Sequence, residues 1–389
     1  MKKILINPFL MFGFTFIFVM MLYQLKLSGL YDAEVGNITY VFIAFSVLSI
    51  IIGIIFYYLL LRSDLKRNQK ERVFYKKDYA FIVLLLGFTL ECVSMSGIPL
   101  FLVLRGANYD YTQFGIKTFH VFYMGYLSAA SLVHTERFML SKNKKYLKTP
   151  ILAIVVTILI MNRGATFLIV FPMLLMCLAM SAKKIRARHY TLVGILIFIF
   201  IVLFGVLGDK RMLASGYENE KAIYEIGEAD DMFRGLPSGF FWTYLYASSP
   251  FANLEYQEKV DNEAQGNIED YIPAVIYPDF ISKYTNPDIN DRFELAKITP
   301  ELNVGTGFSL AFIIGGYAGL IGLFFWFLSV NVLFITLNRS SYSMSTYATL
   351  TSIAIFMTFN NMLIFSSCVL QLIFVTVLTR FKVGNKLLI

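Results

Sequence analysis

The chain alternates between long apolar runs and short polar loops, and one long polar stretch, residues 208–303, interrupts this alternation. Apolar runs of roughly 18–22 residues have the length that an α-helix needs to cross the hydrocarbon layer of a bilayer. Ten membrane spans are predicted, seven before the polar stretch and three after it. The predicted spans are residues 4–25, 38–61, 78–97, 118–134, 149–161, 166–182, 190–207, the later part of 304–337, 341–359 and 362–379.

The polar stretch differs from the rest of the chain in its charge. It holds 18 acidic and 8 basic residues, a net charge of −10, whereas the whole chain carries +8, so the remaining residues carry +18. Irregular backbone and unpaired charges are too costly to place in hydrocarbon. We therefore expect residues 208–303 to form a large water-exposed cap, mostly helical or irregular, between spans seven and eight.

Basic residues orient the predicted spans. The loop at 62–77 contains seven lysines and arginines, and the loops after spans four and six and the C-terminal end are also basic. Because lysine and arginine are enriched in cytoplasmic loops, both termini are predicted to be cytoplasmic and the acidic cap to lie outside. The predicted fold class is an all-α polytopic membrane protein in three parts: spans one to seven (1–207), the cap (208–303), and residues 304–389.

The third part begins with more residues than a span requires. Residues 304–337 exceed the length of one membrane helix, and their first part, Val-Gly-Thr-Gly at 304–307, is rich in glycine. This pattern predicts a partly re-entrant lead-in that is followed by span eight.

Composition agrees with a membrane protein. Hydrophobic residues make up 57% of the chain and charged residues 15%, and the mean hydropathy is +0.63, which excludes an ordinary soluble domain. The basic loops explain the positive net charge, so it does not indicate nucleic-acid binding. The three cysteines all lie in apolar runs and do not form a disulfide framework. They are Cys92, Cys177 and Cys368.

Five arginines fall on the predicted outer side, where the positive-inside rule disfavours them. Arg163 lies in the tight turn at 162–165, and Arg211 lies just beyond span seven, so both are held near the outer interface. A guanidinium group can extend to lipid headgroups, or it can bind a phosphate through two parallel hydrogen bonds. The second interpretation predicts an anionic headgroup at the outer surface. The five residues are Arg105, Arg163, Arg211, Arg234 and Arg292.

Four acidic residues are candidates for a general base. Glu91 lies about 9 Å inside the outer end of span three, a depth at which an ionisable residue is either functional or a hydrogen-bonded packing residue. Glu225, Asp230 and Asp231 are the candidates in the cap, and the sequence does not choose among the four. The chain lacks metal-binding, nucleophile-elbow and ATP-binding motifs. Any reaction would therefore use a substrate that is already activated.

Three stretches resemble one family. Asn-Arg-Gly-Ala at 162–165 is similar to the arginine turn of the Wzy-type oligosaccharide repeat-unit polymerases, the O-antigen polymerase class. Tyr-Leu-Tyr-Ala-Ser-Ser-Pro-Phe-Ala-Asn-Leu at 244–254 resembles the family's tyrosine-serine-proline-asparagine stretch. Asn-Val-Gly-Thr at 303–306, followed by Gly-Tyr-Ala-Gly at 316–319, resembles its re-entry into the membrane. Arg211 and Gly227, with fifteen residues between them, match an Arg-x15-Gly pattern of some members.

The resemblance implies a polymerase that joins polyprenyl-diphosphate-linked oligosaccharide repeat units into a surface polysaccharide, such as O-antigen or capsule, at the outer face of the cytoplasmic (inner) membrane. Its expected partners are these lipid-linked oligosaccharides, the lipid bilayer and a chain-length regulator protein, with no cofactor, metal or nucleic acid. Diphosphate is a good leaving group, so the main requirement is positive charge where negative charge develops. Arg163 and Arg211 would supply this charge, and Glu91 joins them in the catalytic set as a candidate base. The expected substrate-binding residues are Arg105, Arg234, Arg292, Tyr244, Asn253, Asn303 and Thr306.

The aromatic residues of the cap leave two interpretations open, since they can stack on sugar rings or form the small core of the cap. They include Phe240, Phe241, Trp242, Tyr244 and Tyr246.

Three other functions are alternatives. An O-antigen ligase has similar architecture and a similar donor, but the resemblance to that family would require a histidine in the large outer loop, and residues 208–303 contain none. A flippase of lipid-linked oligosaccharides would need a charged cavity open to both sides and no sizeable outer cap, and interior charges are scarce in this sequence. A general transporter would contain inverted repeats, and the sequence shows no matching halves.

The topology can be tested by labelling single cysteines in intact cells after Cys92, Cys177 and Cys368 have been replaced. A membrane-impermeant maleimide should label Asn262→Cys in the cap and should not label Ser341→Cys, because the basic loops place position 341 inside. Labelling of position 341 without labelling of position 262 would reverse the predicted orientation.

Overall fold

A computed structural model of the chain describes residues 2–31, 34–61, 79–106, 113–181, 187–219, 221–233, 235–289, 291–338, 343–380, 382–383 and 386–387. These residues are almost entirely helical. The α-helices are α1 Pro8–Gln24, α2 Asn37–Phe56, α3 Ala80–Ser94, α4 Pro99–Leu104, α5 Phe119–Ser141, α6 Lys148–Leu159, α7 Arg163–Met180, α8 Ala187–Ala214, α9 Ala222–Ile226, α10 Ser238–Val260, α11 Ile268–Tyr271, α12 Asp279–Thr285, α13 Ser309–Leu337, α14 Ser343–Phe356 and α15 Ser366–Arg380.

Short irregular elements join or extend these helices. The 3₁₀ turns are Lys2–Ile6, Lys144–Leu147 and Asp231–Phe233, and the π-helical turns are Tyr57–Leu61 and Ile272–Ile276. Near the C-terminus, β1 Lys382–Val383 pairs antiparallel with β2 Lys386–Leu387.

The all-helical character of the predicted fold class is confirmed, and several of the helices are apolar. Within the described residues, three helical stretches are long and apolar enough to cross a membrane, namely Asn37–Leu59, Arg163–Met180 and Ser309–Leu337. Four shorter helices are also apolar: Pro8–Gln24, Ala80–Ser94, Met344–Phe356 and Ser366–Thr379. Each of the ten predicted spans overlaps a helix of the structure. The number of crossings and their orientation stay predictions.

The helix α14 lies at the centre of the bundle, where it packs against α1, α5, α7, α13 and α15. Its side chains from Met344 to Ala354 are all buried, although many of them are serines and threonines. At its start, the backbone N–H groups of Met344 and Ser345 donate hydrogen bonds to the carboxylate of Glu136, at 3.3 Å and 2.7 Å. Glu136 lies fully buried in α5. Its carboxylate accepts hydrogen bonds from the first N–H groups of α14, which have no carbonyl partner within their own helix.

The longest helix of the predicted cap packs directly against the apolar helices. The helix α10 contacts α1, α2 and α8, and its residues Phe241, Trp242 and Leu245 are buried. A Cβ atom at Gly239 would lie 1.9 Å from the carbonyl oxygen of Ile201, so α8 and α10 touch backbone to backbone. Residues 208–303 are therefore anchored by α10, which begins beside residues of predicted span seven. The segment thus packs partly against the apolar helices and is not purely exposed to water.

The glycine-rich lead-in contains a break in the helix. Gly316 interrupts α13 with φ 55° and ψ −145°, a conformation that is essentially restricted to glycine. The break frees the carbonyl groups of Ile313 and Ile314, which accept hydrogen bonds from the N–H groups of Gln265 and Gly266 at 2.9 Å and 3.1 Å. Residues 309–315 thus form a short helical segment that precedes the long one; the re-entry into a membrane that the sequence analysis expects here stays a prediction.

Replacing Gly316 by alanine should destabilise the protein, because a Cβ atom strains the positive-φ conformation by about 1–3 kcal/mol. Gly315→Ala is the matched control, since a Cβ there would make only an ordinary 3.4 Å contact with Tyr271. The measurement is thermal unfolding of both purified variants in detergent. Equal melting temperatures would contradict the assigned conformation.

Candidate functional site

The candidate site residues lie at one end of the helix bundle, called the cap end here because residues 208–303 lie there. The start of α5 reaches this end, where the hydroxyl groups of Thr118 and Tyr284 lie 3.1 Å apart and Phe122 packs against Phe280. Because α6 runs antiparallel to α5 and joins α7 through the short turn 160–162, the first residue of α7 lies at the cap end as well.

Arg163 is that first residue. Its turn is shaped by Met161, which adopts a left-handed conformation with φ 59°, and by Asn162, whose side-chain oxygen accepts the N–H of Ala165 at 2.9 Å. The side chain of Arg163 is exposed and makes no hydrogen bond or ion pair with any described residue. It stands at the rim of a groove of about 520 Å³, called the lateral groove below. The groove is lined by Thr157, Ile158, Met161, Thr166, Phe167 and Val170.

Glu91 is held by a histidine that the sequence had not paired with it. Its carboxylate is completely buried in α3, and its two oxygens lie 2.9 Å and 3.1 Å from Nδ1 of His120 at the start of α5. The side chain of His120 is 21% exposed, and Phe114 packs edge-on against its ring. The structure therefore presents an imidazole whose inner nitrogen faces a buried carboxylate. The signal for this pair was the position of both residues near the outer ends of neighbouring predicted spans.

Arg211 is engaged by α10. Its Nη2 donates a hydrogen bond to the hydroxyl oxygen of Tyr246 at 2.9 Å, and its guanidinium lies 5.7 Å from the ring of Trp242. Asp209 accepts hydrogen bonds from Ser238 and Trp242 at 2.5 Å and 2.8 Å, which ties the end of α8 to the same helix. In the described part of the chain, no hydrogen bond, ion pair or ring contact links Arg211 with Arg163, and Arg211 does not line the groove beside Arg163, so the structure does not bring the two predicted catalytic arginines together.

Two adjoining cavities lie where the cap leads into α13. The larger, about 320 Å³, is lined by Asn303 and Thr306 among others, and the smaller, about 20 Å³, includes Tyr246. Both share Asn303, Val304 and Phe359. The exposed Asn303 and the buried Thr306 therefore border adjoining cavities, and the smaller cavity also includes Tyr246, which accepts the hydrogen bond from Arg211.

Asn253 holds the segment that leaves the cap. It is completely buried, its amide nitrogen donates hydrogen bonds to the carbonyl groups of Leu302 and Val304, and its oxygen accepts the N–H of Ile298. These contacts give it a structural role. The sequence analysis expects Asn253 to bind a substrate; its complete burial and its internal hydrogen bonds do not favour that role.

Tyr244 belongs to the aromatic core of the cap. Its hydroxyl oxygen accepts the N–H of Leu27 at 3.0 Å, and its ring packs against Tyr31, Phe233 and Phe241. Burial raises the pKa of Tyr244 to about 12, so the phenol stays protonated at neutral pH. Of the two roles that the sequence left open for the aromatic residues, the structure favours packing for this one.

The other predicted arginines are placed differently from one another. Arg292 donates to Asp270 at 2.8 Å and lies over the ring of Phe293, so its charge is already paired. Arg105 follows α4 and is exposed, with no hydrogen bond or ion pair to a described residue. Arg234 lies outside the described residues.

Sequence reasoning did not single out the carboxylates Glu255 and Glu258, which lie one turn apart on α10. They accept hydrogen bonds from the N–H groups of Gly36 and Ile38 at the start of α2, and they border a cavity of about 500 Å³. Burial, reinforced by the neighbouring charge of Glu258, raises the pKa of Glu255. By contrast, the three candidate bases of the cap are exposed to solvent: Glu225, Asp230 and Asp231.

In the described residues, no group of three or more histidine, cysteine, aspartate or glutamate side chains is arranged to hold a metal ion. Comparison of the chain with family models, with characterised proteins and with solved structures found no match. The resemblance stated from the motifs is therefore a prediction, and the geometry of the cap end has to support the function.

Proposed function

We propose that this chain is a polymerase that joins polyprenyl-diphosphate-linked oligosaccharide repeat units into a surface polysaccharide. In this proposal ten helices cross the cytoplasmic membrane, both termini are cytoplasmic, and the cap end faces outward. The acidic cap and the basic loops on the opposite side support this arrangement.

The proposed reaction is a glycosyl transfer. A hydroxyl oxygen of the acceptor repeat unit attacks the anomeric carbon at the end of the donor glycan. The bond from that carbon to the diphosphate oxygen breaks, its electron pair stays on the lipid diphosphate, and the proton of the hydroxyl passes to a base. The protein must therefore supply a cation beside the leaving diphosphate and a base beside the hydroxyl.

The single observation that carries the proposal is the pair of Glu91 and His120. When the proton of a neutral imidazole is on Nδ1 and is donated to a carboxylate, the Nε2 atom is left free to accept a proton. A buried carboxylate with a partly exposed histidine in front of it is the arrangement that this role requires. Arg163 begins α7 and His120 lies at the start of α5, and these two helices pack against each other, so the cation and the base belong to neighbouring helices.

The proposed function is tested by reconstituting the purified protein in liposomes with synthetic lipid-diphosphate-linked repeat units. Polymerisation predicts a ladder of products that differ by one repeat unit, in the presence of a chelator as well as without it. Transfer to a different lipid acceptor without a ladder would indicate the ligase, and movement of the donor across the bilayer without any new bond would indicate the flippase.

Arg163→Ala should reduce polymer synthesis by on the order of 10²-fold or more, because a contact that strengthens as the bond breaks is lost. Arg163→Lys should not restore the full rate, since lysine keeps the charge but not the planar fork that grips a diphosphate. Arg211→Ala is expected to lower the rate less, because its guanidinium already contacts Tyr246 and Trp242. Near-normal polymer length in well-expressed variants at both positions would remove the arginines from the catalytic set.

Replacing His120 by alanine should lower the rate by roughly 10²–10⁴-fold, the usual contribution of a general base. Glu91→Gln should also lower the rate, because the neutral amide lacks the negative charge with which the carboxylate orients the imidazole of His120. Added imidazole should partly rescue His120→Ala and should not rescue Glu91→Gln, a difference that a purely structural role would not produce. The control is His189→Ala, which replaces a histidine on the predicted cytoplasmic side.

A further inference from the structure

The lateral groove combines a cation at one end with an apolar lining below it. We infer that it seats the isoprenoid chain of the lipid donor, with Arg163 on the diphosphate; this inference rests on the proposed function and adds the subsite for the lipid. Its volume, about 520 Å³, lies within the roughly 300–1,000 Å³ range of ligand-binding pockets.

The lining of the groove suits a hydrocarbon chain. Ile158 on α6 and Phe167 on α7 both line the groove and are 52% and 53% exposed. The groove is therefore open along the outer surface of the bundle. The polar side chains of the lining, Thr157 and Thr166, turn their hydroxyl groups to the backbone of their own helices. The lining residues therefore leave mainly apolar surface for a bound chain.

The depth of Arg163 suits a phosphate group. The twelve residues of α6 rise about 18 Å and the preceding 3₁₀ turn Lys144–Leu147 adds about 8 Å, which together approach the roughly 30 Å thickness of the hydrocarbon layer. With the lysines of that turn at the cytoplasmic surface, Arg163 stands at the opposite interface. Lipid phosphates lie at this level, with their chains pointing back along the groove.

The charge of the groove selects among lipids. Its lining contains one arginine and no acidic residue. The arginine can pair with a phosphate, whereas the lining has no carboxylate to pair with the ammonium group of a zwitterionic lipid. A guanidinium can hold two phosphate oxygens at once, and the donor's diphosphate, with two negative charges, attracts it more strongly than the single charge of a phosphodiester. Because α6 also packs against α3 and α4, a donor seated here would have its glycan near the helices that carry Glu91 and Arg105.

The test is photo-labelling of the full-length protein in phosphatidylcholine nanodiscs, which needs no turnover. The probe is a polyprenyl diphosphate with a diazirine near its diphosphate end, and labelled peptides are mapped by mass spectrometry. Labelling should fall within residues 157–170, and excess unlabelled polyprenyl diphosphate should suppress it. Phosphatidylglycerol at the same concentration should not. Labelling elsewhere, or equal competition by phosphatidylglycerol, would overturn the inference.

Two variants and one control sharpen the experiment. Arg163→Gln should weaken binding at least about tenfold, the effect of losing one charge-assisted hydrogen bond, and its exposed position keeps the fold intact. Val170→Trp should reduce labelling by filling the groove. The control is Val206→Trp on α8, an exposed valine that does not line the groove.

The two proposals fail in different ways. Polymer synthesis without specific labelling of the groove would overturn the lipid subsite alone. Specific labelling in a protein that makes no polymer would support the subsite and overturn the polymerase.

Discussion

The backbone N–H and C=O groups at a helix end inside an apolar bundle need hydrogen-bond partners within the protein, because neither lipid chains nor apolar side chains can replace water. This constraint explains the placement of the buried polar residues. Glu136 pairs the N–H groups at the start of α14, Glu255 and Glu258 do the same at the start of α2, and the broken helix at Gly316 is completed by the segment 265–266. Hydrogen bonds to backbone groups at the start of α2 and at the break in α13 thus join the cap to the bundle.

The same constraint separates structural residues from those that can act on a ligand. Asn253 and Arg292 use their polar groups on neighbours within the protein, and Tyr244 is enclosed by aromatic rings. Arg163 is exposed without such a partner, and His120 is partly exposed in front of a buried carboxylate. A cation and a base that are placed in this way are what transfer from a lipid diphosphate requires, and they are the basis of the proposed function.

The lateral groove and the proposed base are connected through one helix. The groove is lined by residues of α6 and α7, and α3, which carries Glu91, also packs against α6. A lipid held in the groove would present its first sugar at the cap end, within the part of the protein that also contains the histidine. Specificity for the glycan would then come from the cap, whose cavities are bordered by Asn303 and Thr306.

The pattern of apolar runs was sufficient to predict where the apolar helices lie, because the length and hydropathy of a segment are local properties that decide whether it fits a bilayer. Composition likewise indicated the acidic segment, and the glycines at 305–319 indicated the irregular start of α13. Only the tertiary structure decided which polar side chains are used for packing. Glu91 meets His120 from 29 positions away, and Arg211 meets Tyr246 from 35 positions away. Such pairs depend on how helices lie beside each other, and this arrangement follows from side-chain packing that no single segment encodes.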